Sequence, residues 1–151
     1  MSGLSQVGLR EVECVPVQFN SPQLLGLLLG SVAAGFPSPA EDHTGKRLDL
    51  FERLNARPQS TFFMKVRGQS MVEAGIFDGD VIVVDKSIKP RHGHIVVAVV
   101  DGEFTVKELV QRPGQTKLRA ANPTFKDIVF KEDQTLVIWG VVKATLKEFR
   151  T

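Results

Sequence analysis

Two short stretches carry side chains that could do chemistry together. Gly68-Gln69-Ser70-Met71 offers a hydroxyl, and Lys107, further along in Asp101-Gly102-Glu103-Phe104-Thr105-Val106-Lys107, offers an amine. A serine hydroxyl is a poor nucleophile until a base takes its proton, and an amine can be that base only when neutral. Free lysine titrates near ~10.4, so the pairing requires an apolar setting that disfavours the ammonium, an effect worth up to ~3–5 units. Phe104, Val106, Leu109 and Val110 would supply that setting. The neutral amine would then deprotonate Ser70, whose oxygen would attack a carbonyl and form an acyl-enzyme that water releases, with no histidine or carboxylate involved. Taken singly, each residue has an ordinary reading. Lys107 is a solvated strand lysine, and Ser70 closes a turn by bonding a backbone N–H.

A third stretch bears on what would be cut. Residues 24–43, LLGLLLGSVAAGFPSPAEDH, pass from an apolar run through Ser31, Val32, Ala33 and Ala34, then break at Gly35 into Pro and acids. Small residues ahead of a glycine suit a protease site, whether for a secretory signal peptidase, an outside enzyme or the chain itself. The secretory reading fits poorly, because a signal peptide opens with a basic region. Here Arg10 stands against Glu11 and Glu13, Pro16 and Pro22 interrupt, and Gly26 and Gly30 break the leucine run. No stretch reaches the ~18 apolar residues of a membrane span. The expectation is a cytoplasmic protein with no membrane contact.

Composition excludes other chemistries. Among 151 residues, 42% are hydrophobic, enough for one domain with a modest core, and the net charge is +2. Lysines and arginines are dispersed, without a basic arm or recognition-helix pattern, so no direct sequence-specific DNA binding is expected. The single Cys14 can form no internal disulfide, in keeping with a reducing compartment. Of the three histidines, His43, His92 and His94, the pair in His92-Gly93-His94 sits in a turn with no acid or thiol at ligand spacing nearby, so neither metal nor other cofactor is expected.

The elements that must position Ser70 and Lys107 read as strands. Residues 1–45 hold Pro16, Pro22, Pro37 and Pro39 with scattered Gly and Ser and no sustained period, which suggests a flexible N-terminal arm ahead of a β-rich domain over 46–151. Asp49 is suited to cap a short helix through Asn55, with Leu50, Phe51 and Leu54 on adjoining faces. Beyond it, 61–67, 80–85, 94–100, 103–111, 116–121, 126–130 and 135–148 are rich in Val, Ile, Thr and Phe and are separated by Gly, Pro, Asn and Asp. The spacing predicts a mostly β domain of antiparallel strands. Asp101-Gly102 predicts a two-residue hairpin turn, since both positions of a type I′ turn need positive φ. Along the following strand Thr105, Lys107 and Leu109 share one face, while Phe104, Val106 and Val110 share the other.

In this order and spacing, Ala33–His43 (AAGFPSPAEDH), Gly68–Met71 (GQSM), Asp78–Asp85 (DGDVIVVD), Asp101–Lys107 (DGEFTVK) and Trp139–Val142 (WGVV) resemble the LexA-type self-cleaving serine peptidases. Within them the likeness is to the UmuD/MucA-like mutagenesis proteins, which lack a DNA-binding domain, and it extends from about Ala34 to Val142. The resemblance implies a compact β fold, Ser70 as nucleophile, Lys107 as general base, and a scissile bond between Ala34 and Gly35. The backbone N–H groups of Gln69 and Ser70 would form the oxyanion hole. It further implies a homodimer, activation by RecA assembled on single-stranded DNA, and a cleaved form that serves an error-prone, UmuC-like DNA polymerase. The arm ahead of Ala34 holds no helix-turn-helix pattern, which speaks against a repressor role. Two other classes share some of these features: a Ser–Lys processing peptidase acting on other proteins, as bacterial signal peptidases do, and a non-catalytic polymerase-binding module.

Overall fold

The computed structural model describes residues 12–16, 24–28, 34–36, 44–130 and 135–151. Its strands are β1 (Val12–Pro16), β2 (Leu24–Leu28), β3 (Thr44–Asp49), β4 (Thr61–Val66), β5 (Val81–Asp85), β6 (Ile95–Val100), β7 (Glu103–Arg112), β8 (Gln115–Arg119), β9 (Ile128–Val129) and β10 (Leu136–Leu146). A short helix, α1, covers Leu50–Arg53, and a single 3₁₀ turn covers Val72–Ala74. The chain forms two compact units, one of Met1–Val17 with Gln59–Thr151 and one of Gln18–Pro58.

The larger unit is mostly β, as the strand pattern predicts. It holds an eight-stranded sheet in the order β1-β4-β5-β10-β6-β7-β8-β9, with every neighbouring pair antiparallel. Strand β10 is central, pairing with β5 on one side and β6 on the other, and its register shifts at two points, between Ile138 and Gly140 and between Val142 and Ala144. Such bulges let one long strand bend to serve two partners. The β6–β7 hairpin forms on the expected turn, with φ of 48° at Asp101 and 83° at Gly102. A left-handed pair matches the twist of the flanking strands.

Burial follows the same strands. One buried cluster gathers Met64, Val66, Met71, Ile76, Ile82, Val84, Val97 and Val106. A second gathers Val96, Ala98, Leu109, Leu118 and Val141. Strands β5 and β6 contribute side chains on both faces, which is why they read as near-continuous valine and isoleucine runs rather than as alternating ones.

In the smaller unit, β2 and β3 form an antiparallel pair, and α1 follows β3 directly. Asp49 caps α1 as its residue type predicts, its carboxylate accepting from the N–H groups of Phe51 and Glu52 at 2.9 and 3.3 Å. The helix stops at Arg53 rather than at Asn55, because Asn55 turns to a φ of 47°. Strands β1 to β3 lie where the sequence shows no sustained period. The predicted strand over 126–130 narrows to Ile128–Val129, which pairs only with β8.

Candidate active site

Ser70 is delivered by the turn that follows β4. Gly68 takes a φ of 97°, and its N–H donates to the Asp78 carboxylate at 2.8 Å. The 3₁₀ turn then starts at Val72, with the N–H groups of Ala74 and Ile76 donating to the Met71 carbonyl. Met71 is buried in the first core cluster and anchors this turn from below. Two bonds tie the turn to the segment after β8: the Glu73 N–H donates to the Ala121 carbonyl, and the Asn122 side-chain amide donates to the Gln69 carbonyl, both at 2.8 Å.

Lys107 is delivered by β7. It stands opposite Val96 in β6, and Thr105 stands opposite Ala98. Lys107 is only 4% exposed and Ser70 only 7%, so the solvated-lysine reading fails for this residue. The amine of Lys107 lies 2.9 Å from Ser70 Oγ, 2.8 Å from Thr105 Oγ1 and 3.0 Å from the Val106 carbonyl. The amine donates to all three oxygens, as an ammonium with three N–H groups can; made neutral, it would donate to two of them and turn its lone pair to the Ser70 hydroxyl. Strand alternation divides the apolar neighbours expected around the amine. Leu109 shares the Lys107 face together with Val96 and Ala98, whereas Phe104, Val106 and Val110 leave on the opposite face.

The remaining expected site residues are placed as follows. Gln69 precedes Ser70 on the turn and is exposed. Among the described residues, no acceptor meets the backbone N–H of Gln69 or Ser70, so both remain available to a developing negative charge. Ala34 and Gly35 lie at a bend in the smaller unit, exposed together with Phe36, whose ring is 93% accessible. No group of His, Cys, Asp or Glu able to hold a metal ion occurs among the described residues. His92 and His94 instead accept backbone N–H groups, from Gln111 and Arg91. No helix of the described residues is long and apolar enough to cross a membrane.

Two polar residues at the site escaped the sequence reading. Thr105 is set beside the amine by the two-residue repeat of its strand, a signal present in the alternation itself. Asn122 falls among the Gly, Pro, Asn and Asp residues that separate the strand runs, and nothing local announces that it reaches Gln69.

Two buried carboxylates elsewhere stiffen the sheet ends. Burial pushes Asp80 upward, but the Lys147 ammonium and the Phe77 N–H outweigh it and hold the carboxyl below the ordinary aspartate range. Burial likewise pushes Asp85 upward, while the Ser87 hydroxyl and N–H and, at 3.6 Å, Lys143 bring it below that range.

A buried serine and lysine in hydrogen-bond contact on a β scaffold, with the N–H groups of Gln69 and Ser70 meeting no acceptor among the described residues, is an arrangement that a serine peptidase could use. The chain belongs to the Peptidase S24-like family, whose model matches residues 27–143 and so spans Ala34, Ser70 and Lys107. It is 43% identical over 136 residues to the protein SamA of Salmonella typhimurium, covering 90% of this chain and 91% of that one. It is 43% identical to the protein MucA of Escherichia coli, covering 80% and 82%. With the LexA repressor of Dechloromonas aromatica the identity is 49% over 70% of this chain, but only 52% of the repressor is covered. The likeness to LexA-type and MucA-like proteins seen in the sequence is therefore met.

Proposed function

We propose that the chain cuts itself between Ala34 and Gly35, with Ser70 as nucleophile and Lys107 as general base. The observation that carries this reading is the contact between the Lys107 amine and Ser70 Oγ, 2.9 Å apart and both shielded from water. Withdrawing an ammonium from water disfavours its charged form, the direction in which a lysine base must move. The neutral amine takes the Ser70 proton as Oγ adds to the Ala34 carbonyl, and the Gln69 and Ser70 N–H groups receive the oxyanion. The ammonium then returns the proton to the Gly35 nitrogen as the peptide bond breaks. Water, deprotonated by the same amine, hydrolyses the Ala34 ester and frees Ser70.

The likeness to MucA-like proteins supports the wider role: a homodimeric, cytoplasmic damage-response switch. Its cleavage is stimulated by RecA on single-stranded DNA, and its product, beginning at Gly35, serves as accessory subunit of an error-prone, UmuC-like DNA polymerase. Incubating the purified chain at pH 7 and pH 10, then sequencing the new N-terminus, tests the chemistry. A product beginning at Gly35, formed faster at pH 10 because the neutral amine is more abundant there, supports it. RecA filaments should raise the rate at pH 7. Gly35→Glu should block the cut by bringing an unpaired charge into the cleft. Normal cleavage of that variant would place the bond elsewhere.

A further inference from the structure

The peptide unit between Gln69 and Ser70 is held by its carbonyl. Asn122 Nδ2 donates to the Gln69 oxygen at 2.8 Å. A trans peptide is planar and carries its C=O and N–H in opposed directions, so fixing one fixes the other. All described peptide bonds are trans. The group fixed here at the far end is the Ser70 N–H, which meets no acceptor among the described residues.

Asn122 is itself built to stay in place. Its Oδ1 accepts from the Thr124 N–H at 3.1 Å and the Thr124 hydroxyl at 2.9 Å, and its carbonyl accepts the Phe125 N–H at 3.0 Å. The neighbouring Ala121 carbonyl holds the Glu73 N–H across the same gap. The segment also follows β8, whose register with β7 sets Arg119 opposite Glu108 and Leu118 opposite Leu109, next to Lys107. Nucleophile turn and base are thus referenced to one piece of sheet.

We infer that Asn122 is a positioning residue for self-cleavage: its amide, by holding the Gln69 carbonyl, aims the Ser70 N–H at the oxyanion. This rests on the Ser70–Lys107 reading above. Loss of one oxyanion donor outright costs about 10²–10³-fold in rate. A donor left in place but released to swing should cost less, about 10- to 100-fold.

The test measures self-cleavage of the full chain across pH 7–10 for wild type, Asn122→Ala, Asn122→Asp and Thr124→Val, with thermal unfolding of each. Asn122→Asp keeps the acceptor that closes the Thr124 turn and replaces the amide donor with a carboxylate oxygen facing the Gln69 carbonyl, so it adds a charge as it removes the donor, and Asn122→Ala is the uncharged comparison. Both Asn122 variants should slow about 10- to 100-fold while remaining folded, and Thr124→Val, which removes one of the bonds that hold Asn122 in place, should slow less than either. Asn122→Ala should lower the whole pH profile without moving its midpoint, since Lys107 is untouched. Cleavage of either Asn122 variant within about twofold of wild type overturns the inference. So does a midpoint that moves in Asn122→Ala, which would assign the residue to the base, or slowing that occurs only with loss of folded protein in both variants. Ser70→Ala is run alongside: if it still cleaves, the dyad reading itself falls, whatever Asn122 does.

Discussion

Thr105 Oγ1 and the Lys107 amine lie 2.8 Å apart on one face of β7. Two residues is the repeat of a strand, so the hydroxyl is carried beside the amine by backbone geometry alone. It gives the amine an acceptor beside Ser70, which under the proposed mechanism would fix the orientation of the amine. Thr105→Val keeps the shape and removes the acceptor. Self-cleavage should fall about tenfold, the scale of one hydrogen bond to a group that becomes charged. Thr105→Ser should restore most of the rate. Equal rates for the valine and serine variants would show that packing, not the hydroxyl, matters at this position.

Much of this arrangement was legible in the residues, and the reasons differ by element. Strands β5, β6 and β10 follow from Val- and Ile-rich runs, and β4, β7 and β8 from shorter mixed runs, all bounded by Gly, Pro, Asn and Asp, and Asp101-Gly102 announces its hairpin because few other pairs accept left-handed φ twice. The burial of Lys107 was not legible from its own strand, where a lysine normally faces water. It follows from what β6 and the Ser70 turn place around it, contacts distant in sequence. Strand β1 is hidden for a related reason. Its partner β4 lies some fifty residues on, pairing Val12 with Val66 and Pro16 with Phe62, and on an edge strand a terminal proline costs little. The Asn122 contact spans 53 residues to a backbone oxygen, so side-chain patterning carries no trace of it.

Gly140 in β10 sits against β5 with no room for a side chain. A Cβ there would stand 2.6 Å from Val84 Cγ1 and 3.3 Å from the Asp85 carbonyl oxygen. Val84 is fully buried and cannot retreat to solvent. Gly140→Ala should therefore destabilise the fold by about 1–3 kcal/mol, the usual cost of overpacking, seen as a lower urea midpoint at unchanged slope. An unchanged midpoint would show that β5 and β10 can separate at no cost.

Acid should find the two buried carboxylates. Asp80 and Asp85 both titrate below the ordinary aspartate range when folded, and an unfolded aspartate titrates near ~3.9. A depressed folded value contributes stability that is complete above the unfolded value and is lost as pH falls through the folded one. Unfolding free energy should therefore hold steady in its aspartate contribution from pH 7 to about 5 and decline below about pH 4. Asp80→Asn should be less stable at pH 7 and show a shallower decline, because the Lys147 pairing no longer titrates. A decline as steep as wild type would assign the acid sensitivity to other groups.

The central claim is that Ser70 and Lys107 act as one unit in cutting the chain after Ala34. The most direct measurement is the rate at which a product beginning at Gly35 forms in purified wild type, Ser70→Ala, Lys107→Ala and the double variant, at one pH and without activator. Residues acting as a unit are not additive. Each single variant should lose cleavage entirely while staying folded, and the double variant should be no worse than either. Wild-type cleavage by Lys107→Ala, or product at Gly35 from Ser70→Ala, would contradict the account.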